Sequence, residues 1–313
     1  MGKRLLVLVL AAAVAAVVAG CGGGGGGGGS AESANKTLIL GELVGWPENV
    51  AVDNVTKVIL EEDFGYKEVQ IETLDVGLLF EGVAGGDLHA FQDMWLPNHK
   101  DLYAEVENDV EKLDPWYEGQ TTFGLAVPEY MEGVNSIADL NESGAERIIG
   151  IEPGAVISEQ VPDHVIPEYN LKLEYEPSST AAMLAEVERL YKDKEPFVFP
   201  PWCPSPHCEE YEGQNPKIDY RYLEDPKNAL GPLDYGPQSD TSASIQTIVN
   251  EDLPDDDPVA YAFINNLRLN EDELISLETE IENAETPVAG AKAWLEDNRD
   301  VVQPAIDAAK KAQ

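Results

Sequence analysis

The chain has 313 residues, 43% of them hydrophobic, and sets 20 basic against 59 acidic side chains for a formal net charge of −39. Such a field repels nucleic acid and reads either as a surface kept solvated in salty surroundings or as a soluble secreted protein with few lysines. Only four histidines occur, at 89, 99, 164 and 207, and G-x-S-x-G, H-E-x-x-H and C-x-x-C patterns are absent, which leaves a secreted enzyme as a remote alternative.

Lys3 and Arg4 precede the apolar run LLVLVLAAAVAAVV, and small residues lead into Cys21, so residues 1–20 read as a secretory signal. The run is shorter than the ~20 residues a spanning helix needs. VAGC resembles the bacterial lipobox, which would make Cys21 a lipidated first residue holding the protein at the extracytoplasmic face of the cell membrane. Residues 21–36, with the octaglycine Gly22 to Gly29, form a tether. The folded part starts near Thr37 and is long enough for two lobes.

TLILGELVGW predicts a strand, VAVDNVTKVILEEDFGY a helix with Val52, Val55, Val58 and Ile59 at helical spacing, KEVQIETLD a strand, LLFEGVAGG a helix, and LHAFQDMW a strand. The alternation repeats: FGLAVPEY strand, SIADL short helix, RIIGIEP strand, VISEQVPDHVIPEY helix, LKLEYEP strand, SSTAAMLAEVERLYKDK capped helix, EPFVFPPW strand. SASIQTIV then predicts a strand, and PVAYAFINNLRL, EDELISLETEI and PVAGAKAWLEDN helices. Alternating strands and helices predict an α/β protein with largely parallel sheets. The terminal helices, short of strands for a sheet of their own, should pack back on the first lobe, so that the chain crosses between lobes twice.

Three of the five tryptophans stand where a predicted strand gives way to a polar or proline-containing loop: Trp46, Trp95 and Trp202. Ligands of open α/β sheets bind beyond the strands' carboxyl ends. Several indole faces turned into one cleft suit a cation with no hydrogen to donate, each contact contributing ~0.5–2 kcal/mol. Trp294, at helical spacing from Val288 and Ala291, reads as core, and Trp116 fits either role. Cys203 and Cys208 read as a local disulfide in an oxidising compartment; a metal site of Cys203, His207 and Cys208 is the rival, but no fourth ligand is in sight.

GELVGWPENVA, EGVAGGDLHAFQDMWLPNH, WYEGQTTFGLAVPEYM, IADL, IGIEPGA, SSTAAMLAEV, FVFPPWCPSPH, YLEDPK and AKAWLEDN, in this order, resemble the substrate-binding lipoproteins of the glycine betaine/proline betaine ABC importers, a family with choline-binding members. The resemblance implies a type II periplasmic-binding-protein-like fold of two lobes, 37–124 plus 237–313 and 125–236, that close about a hinge. It implies no enzyme activity, no cofactor and no metal, and as partners a quaternary ammonium solute and the permease subunits of an importer serving osmoprotection. Choline or carnitine is the alternative ligand. Carried over by position, Trp95 and Trp202 match the most general box tryptophans. Trp46 matches a tryptophan of the choline-binding branch, with Glu48 where that branch has aspartate. Phe123 matches an aromatic position, and His99 a histidine that helps hold the betaine carboxylate. Ala155 departs from the pattern, standing where some betaine binders place a third tryptophan. The backbone amides of Val156 and Ile157, at a predicted helix start, could receive an anion.

Overall fold

The computed structural model describes residues 36–43, 45–205, 208, 218–235 and 242–313. The signal sequence, Cys21, all but the last residue of the tether, His207 and residues 236–241 of the second crossing lie outside the described residues.

Thr37–Glu42 (β1), Pro47–Asp63 (α1), Glu68–Thr73 (β2), Val76–Gly85 (α2), Ala90–Leu96 (β3), Lys100–Val106 (α3) and Val110–Lys112 (β4) follow in order. Then come Thr122–Phe123 (β5), Ala126–Pro128 (β6), Arg147–Ile149 (β7), Val156–Gln160 (α4), Ile166–Tyr169 (α5), Glu174–Glu176 (β8) and Thr180–Asp193 (α6). Trp202–Cys203 (β9), Tyr220–Tyr222 (β10) and Ser244–Asn250 (β11) complete the strands. Leu253–Asp256 (α7), Pro258–Asn266 (α8), Glu271–Asn283 (α9), Pro287–Asp297 (α10) and Arg299–Lys311 (α11) close the chain.

The first lobe is built on the sheet β2-β1-β3-β11-β4. β2, β1 and β3 pair in parallel, as strand–helix alternation requires. β11 pairs antiparallel with β3 and β4, because it arrives from the second lobe rather than through a βαβ unit. α1 buries Val52, Val55 and Ile59 with Leu38 and Leu40 in one core, while Leu79, Phe80 and Val83 of α2 join Phe91, Met94 and Ile248 in another. The C-terminal helices return to this lobe, α9 and α10 packing on α1 and α11 on α8.

In the second lobe β7 and β8 are parallel, Val198 bridges to Ile148, Phe199 bridges to Ala126, and β6 pairs antiparallel with β10. The run predicted as a strand from EPFVFPPW is thus the middle of this sheet, reduced to single bridges at Val198 and Phe199. The helix predicted from VISEQVPDHVIPEY is continuous from α4 to α5 through a π turn at Val161–Val165. α6 starts where the sequence places its cap, the Ser179 hydroxyl accepting from the Ala182 N–H.

The two crossings run side by side. Phe123 and Tyr235 exchange backbone hydrogen bonds at 3.3 and 3.1 Å, and the Thr121 hydroxyl accepts from the Ala243 N–H at 2.7 Å. β9 pairs with β5, and Cys203 is bonded to Cys208, which braces the segment that carries Trp202.

Trp116 and Trp294 are both core: each is 1% exposed, the first donating its indole N–H to the Gln92 carbonyl and the second to the Ser276 hydroxyl at 2.8 Å. Trp294→Ala should therefore cost about 3–5 kcal/mol of stability through the cavity it leaves. Urea denaturation checks this; an unchanged midpoint would mean that α9 and α10 hold without it.

Candidate functional site

A cleft lies between the lobes, lined by Trp46, Glu48, Trp95, Asn98, His99, Phe123, Ile151, Ala155, Val156, Ile157, Trp202 and Leu233. All eight residues singled out as ligand-binding in the sequence meet here. Asn98, Ile151 and Leu233 were not anticipated, and Ala155 entered only as a departure from a pattern.

Each wall has a local cause. The chain leaves β3 through WLPNH and turns back on itself: the Trp95 N–H donates to Nδ1 of His99 at 3.1 Å, and the His99 N–H donates to the Trp95 carbonyl at 2.8 Å. The first of these bonds is what the imidazole supplies to the turn; the second is a backbone bond any residue there could make. Trp46 precedes α1, whose first residue is Pro47, and is held in extended backbone before the helix. Its ring stacks on His99 at 6.1 Å and 20° and tilts against Trp202 at 6.2 Å and 41°. Phe123 stacks on Tyr235 at 5.9 Å, and the Tyr235 hydroxyl donates to Asn98 Oδ1 at 2.9 Å.

The indole of each cleft tryptophan ends on a carboxyl group. The indole N–H of Trp95 donates to Asp93 Oδ1 at 2.8 Å, that of Trp202 to Glu48 Oε2 at 3.3 Å, and that of Trp46 to Glu152 Oε2 at 3.4 Å. With the edge nitrogens occupied, the rings present faces to the space between them, the electron-rich surface that a cation without hydrogens prefers. Asp93 and Glu152 are functional candidates that sequence reasoning missed. An aspartate inside an otherwise buried strand was the available signal for Asp93; Glu152 had none beyond its place before the α4 start.

Two further features make the cleft polar at one end. His99 is 1% exposed, and burial pushes its imidazole down to about 3, so it is neutral. Its Nδ1 already accepts, which leaves the proton on Nε2 as a donor. Across the cleft, the N–H groups of Val156 and Ile157 are the first two of α4 and have no carbonyl one turn back to accept them.

Beneath the box lies a cluster of buried acids. Glu48, Asp53 and Asp93 are 0% exposed and Glu278 2%. Glu48 Oε1, Asp93 Oδ2 and both carboxyl oxygens of Glu278 have no protein hydrogen-bond partner. Asp53 is held by Gln92 at 2.7 Å and Asn49 at 2.9 Å. Burial raises the Glu48 carboxyl to about 8 against the bonds it accepts. It also lifts Asp93 well above the usual range, helped by the charge of Glu48, and lifts Asp53 and Glu278 likewise, helped by Glu42 and Glu48 respectively.

A carboxyl raised on folding stabilises the protein fully below its unfolded value, here 4.5 for Glu48, and that stability is lost as pH rises through about 8. The ligand-free protein should therefore melt at progressively lower temperature between pH 5 and pH 9. The net charge of −39 contributes to the same slope, so Glu48→Gln is the comparison: its melting temperature should fall less steeply, and an identical slope would remove Glu48 from the cause.

Known structures share this fold. The crystal structure of lactococcal OpuAC, closed and complexed with glycine betaine, matches with a TM-score of 0.73 at 29% identity, over 87% of this chain and 100% of that one. The glycine/betaine/L-proline-binding protein ProX of Borrelia burgdorferi shares the fold, with a TM-score of 0.75 at 23% identity over 89% of this chain and 100% of that one. So does an ABC-transporter choline binding protein in complex with choline, at 0.74 and 24%, over 90% and 99%. In sequence, the glycine betaine/carnitine transport binding protein GbuC of Listeria monocytogenes serotype 1/2a (strain 10403S) is 30% identical over 177 residues, 55% of this chain and 53% of that protein. The chain thus spans about half the length of the curated relative it matches. The family described as the substrate binding domain of the ABC-type glycine betaine transport system matches residues 36–297, and the chain belongs to it.

Proposed function

We propose that the chain is the extracytoplasmic substrate-binding protein of an ABC importer, capturing glycine betaine or proline betaine for osmoprotectant uptake and delivering it to the permease subunits. The observation that carries the reading is the aromatic lining itself: Trp46, Trp95, Trp202 and Phe123 border one cleft that has a neutral histidine donor and a helix start at its polar end. The relatives' ligands, glycine betaine in the lactococcal protein above all, support it.

In this reading the trimethylammonium group sits among the four rings, and the carboxylate takes hydrogen bonds from His99 Nε2 and the amides of Val156 and Ile157. Residues 37–124 with 237–313 form one lobe and 125–236 the other, hinged where Phe123 and Tyr235 run together. Cys21 carries the lipid that tethers the protein to the membrane; among the described residues no helix is long and apolar enough to cross it. Choline is the second reading, favoured by the unpartnered Glu48 Oε1 at the cleft wall, which could accept a hydroxyl proton.

Titration calorimetry with glycine betaine, proline betaine, choline and carnitine tests this on folded variants. Trp95→Ala and Trp202→Ala should each weaken binding roughly tenfold to a hundredfold, because a π face is lost and water enters beside the ammonium. Trp95→Phe should recover part of that loss. His99→Ala should weaken betaine much more than choline, since only betaine has a carboxylate to hold. Wild-type affinity for the whole panel in both Trp95→Ala and Trp202→Ala would make the tryptophans mere core.

A further inference from the structure

Trp46 differs from the other two box tryptophans. Trp95 and Trp202 are 2% and 6% exposed, whereas Trp46 is only partly buried and also borders a second cavity that opens beside Glu152 and Ala155. It is the wall at the mouth. Its partner Glu152 belongs to the other lobe, in the loop between β7 and α4, and that lobe holds the carboxylate in place by itself. Glu152 Oε1 accepts from the Thr180 N–H at 2.6 Å, and Oε2 accepts from the Thr180 hydroxyl at 2.9 Å. Thr180 opens α6, so the carboxylate sits at a helix start that stabilises its charge. Oε2 still has a lone pair for the Trp46 indole.

The approach of the two lobes at this point is close. Gly45 has φ +82°, and a Cβ placed there would stand 3.3 Å from the Thr180 Cβ, so the Gly45–Trp46 turn rests directly on the first turn of α6. A contact that tight exists only when the lobes are together. We propose that Glu152 is a positioning residue, a preset acceptor that fastens Trp46 across the cleft, so that the box gains its third wall on closure and opening must first break that bond.

The proposal rests on reading the cleft as a quaternary ammonium box. Trp46→Phe keeps an aromatic face and removes the N–H; Glu152→Ala removes the acceptor; Glu152→Gln keeps a carbonyl acceptor without the charge. Release of radiolabelled glycine betaine, and separately of choline, into excess unlabelled ligand gives the dissociation rate for each variant and for the Trp46→Phe/Glu152→Ala double variant. Trp46→Phe and Glu152→Ala should each speed release roughly fivefold to tenfold, with association rates close to wild type. Glu152→Gln should fall between Glu152→Ala and wild type. The double variant should release no faster than the quicker single one, because both remove the same bond.

Multiplying effects in the double variant would overturn the latch, as would wild-type release from either single variant. If Glu152→Ala does not fold, Glu152→Gln in the Trp46→Phe background decides instead: any further acceleration there overturns the proposal, and none supports it. A wild-type protein that binds neither ligand overturns the box and the latch together, whereas binding with unaltered release in the variants overturns the latch alone.

Discussion

An indole N–H enclosed in a protein costs about 1–3 kcal/mol if it finds no acceptor, and the cleft is arranged around that requirement. Asp93, Glu48 and Glu152 satisfy it for Trp95, Trp202 and Trp46. The consequence is geometric before it is energetic. A carboxyl group at the edge of a ring fixes where the edge points, and the face then has only the cleft to look into. An acceptor at the N–H also pushes electron density toward the ring, which is the polarity a cation requires. Asp93 sits two residues before Trp95 on one strand, so its bond is local; those of Glu48 and Glu152 join residues more than a hundred positions apart. The same chemistry therefore serves once to aim a ring and twice to hold distant parts of the chain in register.

The acids beneath the box complicate a simple picture of a negative cradle. Burial holds Glu48, Asp53, Asp93 and Glu278 toward their neutral forms, and among the described residues no ion pair involves any of them. An empty cleft is thus far less negative than a count of carboxyls suggests. On the proposed reading a bound ammonium would change the balance, since a cation nearby favours the ionised form. The protein can then supply counter-charge when the ligand arrives without maintaining several buried anions while it is absent. That is the less costly arrangement, because an unpaired buried charge costs several kcal/mol even after relaxation.

How much of this was legible follows from what each signal depends on. Hydrophobic periodicity is local, so α1, α2, α6, the strands β1, β2, β3 and β11, and the helices α8, α9 and α10 could be read directly, whereas the three-residue β4 and the last helix, α11, were not read. β11's direction could not, because it depends on the chain's return from the other lobe. The EPFVFPPW segment read as a strand and survives as two bridges, since its neighbours on each side are themselves only three residues long. For the site, each tryptophan announced itself by rarity and by the loop that follows it, and the family resemblance supplied His99, Glu48 and Phe123. Asp93 and Glu152 escaped notice because a carboxylate on a chain with 59 of them carries no signal until its partner is in view.

A betaine binder with a tryptophan at the α4 start would carry its third wall on the second lobe, but here Ala155 stands at that start and Trp46 approaches from the first lobe instead. A methyl group at 155 opens the space that an indole from across the cleft can border. On the proposed reading, moving the wall to the opposite lobe changes what closure has to do: the wall must be delivered as well as pressed against the ligand. Delivery needs an acceptor waiting on the far side and a turn slim enough to reach it. Glu152, held by the first residue of α6, and Gly45, whose φ of +82° suits glycine and where a Cβ would crowd Thr180 at 3.3 Å, meet both needs.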